Sequence, residues 1–518
     1  MLEREKIIFY DVESLKKTEG MESRCSKEYL TNKLNERFPE IEFGKIIVER
    51  VRMITDGTYK AGERFKDRLF MKKLSGLPPF CEVYLKHATG KHFEEVYVFV
   101  PFAWNDRFAG TAGGGTGIGG YSYITRPNNT TRGWTMGYAL MNGFAAATAD
   151  GRNVDGLKDH VLNPKTGEFD RELYDNWRIR TTHDMTVLGK AVTEILHERP
   201  VKYSYMNGGS GGGRQSVVEA QNYPKDYDGI WASCPAINWN KFLLGGLWYT
   251  ACMNEYQANL TPQKLQFFTE KVWEAAGGEV AYYKKSTITE INPFDFVGEK
   301  IGKQTITKQD AKAMKAIWDG PHDRKGNRLW YSHRPGVRNW NVGIPVGAIY
   351  YTLIKKKPKL FHLSNIYLRW ITKNPKQYFE ELTIDGYVDL YQKSIEMFGD
   401  CGGDEADLSA FKSAGGKLMI DHGLNDPLIP VDGTIDYYHR VIDVMGGKQA
   451  VDEFMKLYLT PGDGHGNCWY MGPGVTESAG MSALVNWVEN GVEPKEIQAV
   501  RVDKKTGETL ETSLITPQ

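Results

Sequence analysis

Apolar residues along this chain recur with two different periods, and the switches between them mark its elements. Ile46–Ile54, Cys81–His87 and Glu94–Pro101 read as strands, the last with Val96, Val98 and Val100 on one face. Gly143–Asp150 is a further apolar strand that ends in Asp150-Gly151. Trp177–Leu196 has helical spacing and leads into a strand at Val201, and Asp228–Pro235 reads as the next strand. From about Asn240 this alternation stops. Residues 240–405 are helix-rich and aromatic, with Trp248, Trp273, Trp318, Trp330, Trp340 and Trp370. Sheet character returns at Lys417–Gly423, followed by a helix from about Asp432 to Val444, a strand Phe454–Leu459 and a helix Glu477–Asn490. Residues 1–45 read as peripheral and polar, with a Lys/Glu-rich helix around Ser26–Arg37.

Strands alternating with helices predict an α/β protein with a mostly parallel sheet. At 518 residues the chain exceeds the roughly 250–300 residues that one core supports, so a large insertion is expected. The expected division is a first core part at 1–239 (with its extension 1–45), an inserted helical lid at 240–405, and a second core part at 406–518.

Composition narrows the partners. Lys and Arg number 65, as do Asp and Glu, which argues against nucleic acid or an acidic membrane surface. No stretch approaches 18 uninterrupted apolar residues, and Met1–Tyr10 is charged without an apolar core. A soluble, cytoplasmic protein is expected. Six cysteines with no C-x-x-C pair point to neither a disulfide framework nor a zinc site. Twelve per cent aromatic residues could line an apolar pocket, although most will fill cores.

The chemistry centres on Gly208-Gly-Ser210-Gly-Gly212, a G-x-S-x-G match between the strand ending near Met206 and a helix carrying Val217, Val218 and Ala220. A strand turning sharply into a helix leaves the central Ser strained and exposed, and only tiny neighbours fit beside it. The helix N-terminus behind Ser210 offers free N–H groups to a developing oxyanion. A glycine-rich turn that happens to contain Ser is the competing reading. It weakens because an acid and a base follow in the order such hydrolases use, each after a strand. Asp426 lies past the strand Leu418–Asp421, and His465 lies on a glycine-flanked loop past Phe454–Leu459. Among rivals, His422 and Asp150 fit supporting positions, His439 sits mid-helix as a surface residue, Asp421 suits a structural hydrogen bond, and Asp463 suits a loop turn.

The run Gly113–Gly120 contains a formal G-x-G-x-x-G. A dinucleotide site needs a strand immediately before it and a helix immediately after. Arg107–Ala112 separates the run from the strand and Tyr121–Pro127 is no helix start, so a loop walling the oxyanion hole is the better reading. Gly211 on one side and Gly114 or Gly115 on the other are the expected donors.

With these residues in view, several segments resemble the tannase and feruloyl esterase family. They are Trp104-Asn-Asp-Arg-Phe with its following glycines, Gly137-Tyr-Ala139, Thr148-Ala-Asp150-Gly151, Ser210-Gly-Gly-Gly-Arg-Gln, and Tyr223-Pro-Lys-Asp-Tyr-Asp-Gly-Ile. Trp318-Asp-Gly-Pro, Asp407-Leu-Ser-Ala-Phe-Lys and His422-Gly-Leu-Asn-Asp426-Pro join them. The resemblance spans roughly residues 45–490. It implies an α/β-hydrolase with a lid that cleaves esters of aromatic acids, such as gallate or hydroxycinnamates, through Ser210, Asp426 and His465. Such an enzyme needs no cofactor and takes a small-molecule aromatic ester as its partner.

Three departures stand out. The family's usual disulfide between a Cys before the nucleophile and a Cys after the catalytic His is missing, because Gly209 and Gly466 occupy those positions and Cys468 is offset. The Asp-rich calcium loop of the lid is replaced around Ala275–Lys284, so no bound metal is expected. Cys25 and Cys81 resemble an early family pair, and whether they pair depends on an oxidising compartment. Together these suggest an intracellular relative. Two other classes compete: an acyltransferase using the same three residues, and a non-catalytic binding protein on the same fold.

Overall fold

The computed structural model describes residues 12–59, 74–115, 135–150, 161–342, 348–352, 358–376, 381–465, 472–503, 505–506 and 508–518. Its centre is a nine-stranded sheet. The strands are β1 (Lys45–Ile54), β2 (Phe80–Ala88), β3 (Glu94–Pro101), β4 (Arg107–Ala112), β5 (Ala145–Asp150), β6 (Tyr203–Gly209), β7 (Gly229–Ser233), β8 (Lys417–Gly423) and β9 (Met455–Thr460). Their order across the sheet is β1-β2-β3-β5-β4-β6-β7-β8-β9. Pairing is antiparallel from β1 to β5 and parallel from β5 through β9.

The parallel half explains itself. Its strands are buried on both faces, and they read as nearly continuous apolar or small-residue runs. Helix α2 (Thr181–His197) crosses back over β5 and β3, and α3 (Gly211–Asn222) follows β6 and packs on β6 and β7. On the opposite face α10 (Glu477–Asn490) lies against β7 and β8.

The sheet is mostly parallel, as expected, with antiparallel pairing confined to the side from β1 to β5. Two other expectations need correction. Arg107–Ala112 is not a spacer but the central strand β4, between β5 and β6. Its sequence, Arg-Phe-Ala-Gly-Thr-Ala, lacks β-branched bulk, because small residues suit a strand with close packing on both faces: a Cβ on Gly110 would overlap the Tyr227 hydroxyl. Nor is the N-terminal stretch merely peripheral. In α1 (Lys27–Arg37), capped by Ser26 accepting from the Tyr29 N–H, Leu30 and Leu34 are fully buried, and Cys25 forms a disulfide with Cys81 on β2. Three other cysteines, Cys234, Cys252 and Cys401, are free and buried.

Between Ser233 and Lys417 the chain leaves the sheet. Its long helices are α4 (Trp239–Glu255), α5 (Pro262–Ala275), α6 (Lys308–Asp319), α7 (His362–Thr372) and α8 (Ile384–Phe398). Helices α6, α7 and α8 pack on α4. The joint with the sheet layers is aromatic: Trp177 lies edge-on to Trp239 (5.1 Å) and Trp370 (5.5 Å). Above Trp177 the fully buried Arg214 guanidinium sits 4.5 Å from the ring and donates to the Cys401 carbonyl. Helix α9 (Val431–Val444) follows β8. The C-terminal residues form a small antiparallel sheet, β10 (Gly474–Val475), β11 (Ile497–Val502) and β12 (Thr509–Ile515), which the hydrophobic pattern did not predict. Among the described residues, no helix is long and apolar enough to cross a membrane.

Candidate active site

Ser210 stands at the turn from β6 into α3 with φ 59° and ψ −121°. A non-glycine residue rarely adopts such a backbone, and it persists only where the surroundings hold it. They do so here through the backbone. The Ser210 N–H donates to the Ser233 carbonyl (3.0 Å), and the Ser210 carbonyl accepts from Arg214 (3.0 Å) and Ala236 (2.9 Å). The glycines around it are steric necessities: a Cβ on Gly208 would lie 2.5 Å from the Gly212 carbonyl carbon, and one on Gly212 would press on the Ala112 and Gly113 carbonyls at 2.7 and 2.9 Å.

The Ser210 hydroxyl meets His465 Nε2 at 2.9 Å, and His465 Nδ1 meets Asp426 Oδ2 at 2.8 Å. All three side chains come from loops at the carboxyl ends of parallel strands: Ser210 after β6, Asp426 after β8, His465 after β9. Asp426 is almost fully enclosed. Its Oδ1 accepts the Leu428 and Ile429 N–H groups at 2.8 and 2.9 Å, while Oδ2 also accepts from His422 Nε2 at 3.0 Å. His422 Nδ1 meets Thr434 Oγ1 at 2.9 Å, which suits a His422 tautomer protonated on Nε2.

Burial alone would push the Asp426 carboxyl up, but the His465 and His422 rings hold it far below the ordinary carboxylate range. For His465, burial pulls the imidazole down, and the Asp426 carboxylate and the Cys234 sulfur together more than offset this, leaving it well above its ordinary 6.5. The arrangement keeps Nδ1 protonated toward the carboxylate and Nε2 free to accept the Ser210 proton.

Other predicted positions fall as follows. Gly113–Gly115 follow β4 directly and lie over the start of α3, where Gly115 touches Gly211 backbone to backbone. The rest of the glycine run, 116–120, lies outside the described residues, as do Gly466 and Cys468. Asp150 is buried at the end of β5, separated from β6 by β4. Asp421 accepts from Trp231 Nε1 (2.8 Å), His439 is exposed on α9, and Asp463 is buried with its Oδ1 accepting from the Gly464 N–H. One neighbour escaped the sequence reading: the thiol of Cys234, the Asp426 carboxylate and the His465 ring nitrogen lie within 4.8 Å of one another. Nothing local in Trp231-Ala-Ser-Cys234-Pro marks that residue, because the contact is made across the sheet.

A strained Ser at a strand-to-helix turn, an imidazole on its hydroxyl and a buried carboxylate behind it, all on a mostly parallel sheet, are features of the α/β-hydrolase fold. Solved structures agree on the fold. An esterase from Aspergillus oryzae superposes with a TM-score of 0.75 at 21% identity, covering 96% of this chain and 95% of that one. The tannin acyl hydrolase from Aspergillus niger does so with a TM-score of 0.73 at 19% identity, covering 96% and 92%. The family model "Tannase and feruloyl esterase" matches residues 86–516. A probable feruloyl esterase from Arthroderma benhamiae is 34% identical over 443 residues, 80% of this chain and 77% of that protein. The chain belongs to the tannase and feruloyl esterase family and is a carboxylic ester hydrolase.

Proposed function

We propose that this protein hydrolyses esters of aromatic hydroxy acids, of the gallic or hydroxycinnamic type, through an acyl-enzyme on Ser210. The observation that carries the reading is the unbroken chain from Ser210 Oγ to His465 Nε2 and from His465 Nδ1 to Asp426, at 2.9 and 2.8 Å. The names of its relatives, feruloyl esterase and tannin acyl hydrolase, support the substrate class. Ser210 Oγ attacks the ester carbonyl while His465 Nε2 takes its proton. The Gly211 N–H and the Gly113–Gly115 loop receive the oxyanion. His465 then returns the proton to the departing alcohol, activates a water, and the acid leaves with Ser210 restored.

Residues 240–405 act in this reading as a lid over the acyl group. A recess lined by Phe242, Tyr249, Tyr331 and His333 supports it, since Leu428, two residues past Asp426, lines the same recess. Burial pushes the His333 imidazole down to about 4, so it meets a substrate ring uncharged at neutral pH. The location of the protein is a separate inference. A low cysteine count favours a cytoplasmic, intracellular member of the family, but the Cys25–Cys81 disulfide outweighs it and favours oxidising surroundings, where such bonds persist.

The test is initial rates on methyl gallate, methyl ferulate, a terephthalate half-ester and an aliphatic nitrophenyl ester, each beside Ser210→Ala. Cleavage of an aromatic ester with a loss of about 10³-fold or more in the variant upholds the reading. Cleavage of the aliphatic ester alone removes the substrate class, and an unaffected variant removes the nucleophile.

A further inference from the structure

Asp426 and His465 have a third companion that ester hydrolysis does not use. Cys234 is the first residue past β7, is 2% exposed, and is held by its N–H donating to the Asp421 carbonyl at 2.7 Å. Its sulfur, one Asp426 oxygen and one His465 nitrogen lie mutually within 4.8 Å. Thiolate, imidazole and carboxylate on three separate loops are the donor types of a three-ligand zinc site, in which distances of about 2.3 Å to sulfur and about 2.0–2.2 Å to nitrogen and oxygen are needed. The side chain of His465, 12% exposed, forms the open side. The donor set discriminates: a thiolate selects zinc-like ions over magnesium or calcium, which require oxygen ligands.

We propose that Cys234, His465 and Asp426 form a binding site for a zinc-class divalent cation, superimposed on the catalytic base. On binding, the thiol proton leaves to solvent and the S–metal bond forms. The ring proton of His465 moves from Nδ1 to Nε2 as Nδ1 takes the metal beside Asp426. Nε2 then carries a hydrogen toward Ser210 and cannot accept the hydroxyl proton. The cation is therefore a reversible inhibitor. That inhibitory consequence rests on the proposed function; the binding does not.

Two measurements on the full chain, first stripped with a chelator, test this. Titration with Co2+ as a spectroscopic stand-in is expected to give a thiolate-to-cobalt charge-transfer band saturating at one ion per chain, absent in Cys234→Ala and Cys234→Ser. Zn2+ is expected to inhibit ester cleavage, with chelator restoring it, while Mg2+ does not. Each variant, referred to its own metal-free rate, should need at least about 10²-fold more Zn2+, since even indirect supports of a ligand cost 10–100-fold. No band in the unsubstituted chain, a band that persists in both variants, or equal sensitivity to Zn2+ overturns the proposal. Should Cys234→Ala fail to fold, Cys234→Ser, which keeps the side-chain size, decides alone. If no ester is cleaved at all, the cobalt band still decides the site while the esterase reading falls separately.

Discussion

Gly211 and Gly115 meet backbone to backbone: a Cβ on Gly211 would overlap the Gly115 carbonyl oxygen and stand 3.1 Å from the Gly115 nitrogen. The first turn of the helix after Ser210 and the glycine loop after β4 thus share one wall. Gly211→Ala should force them apart and misplace the oxyanion donors. The expected result is a fall in kcat of about 10²-fold with little change in KM. Steady-state kinetics check it, and an unchanged kcat would mean that the loop takes no part in the oxyanion hole.

Activity should fall on the acid side at a higher pH than an ordinary histidine implies. His465 must be neutral to accept a proton, and its pKa is held well above 6.5. The kcat/KM profile should therefore rise with pH through that raised value. His422→Ala removes one donor from Asp426, leaves its charge more available to the His465 imidazolium, and moves the acid limb to still higher pH. A loss of about 10-fold or more in kcat/KM accompanies it, the scale of one hydrogen bond to a charged group. Profiles of both proteins from pH 5 to about 10 settle the direction.

Stability has its own test in the Cys25–Cys81 bond, which closes a loop across 56 positions. Cys81→Ser should cost about 2–4 kcal/mol, because the open loop restores freedom to the unfolded chain. Denaturant unfolding with and without a reductant checks it: the reductant should destabilise the unsubstituted protein and leave the variant unmoved.

A second stability test lies beyond the sheet. Lys264 and Asp310, 5% and 0% exposed, pair at 2.5 Å, and Asp310 also accepts from the Asn259 and Thr307 N–H groups. Lys264→Met strands a buried carboxylate and should cost about 3–5 kcal/mol. Adding Asp310→Asn should return part of that loss, as thermal unfolding of the single and double variants will reveal.

Local signals made much of this legible in the sequence. Ser210 declared itself because the strand, the glycines and the helix of its turn are contiguous. Asp426 and His465 followed from chain order and from apolar runs just before each. What escaped was made by contacts at long range or by residues without a characteristic period. Strand β4 escaped because Ala and Gly carry little strand preference, and its burial comes from helices packed on the sheet, α2 and α3 among them. The Cys25–Cys81 bond depends on α1 docking beside β1, and the approach of Cys234 to His465 depends on β7, β8 and β9 lying side by side. No short window of sequence contains either fact.

The distance along the chain between Ser210 and His465, 255 positions, has a consequence for how the protein comes into being. During synthesis β6 and its helix emerge long before β8 and β9 exist, and β7 must leave one edge open until the whole helical excursion has been made. Strand pairing across so large a gap is slow, and an open edge invites pairing with other chains. The newborn chain therefore stays inert toward esters until its last sheet strands have left the ribosome, and that interval is when it most needs protection from its neighbours.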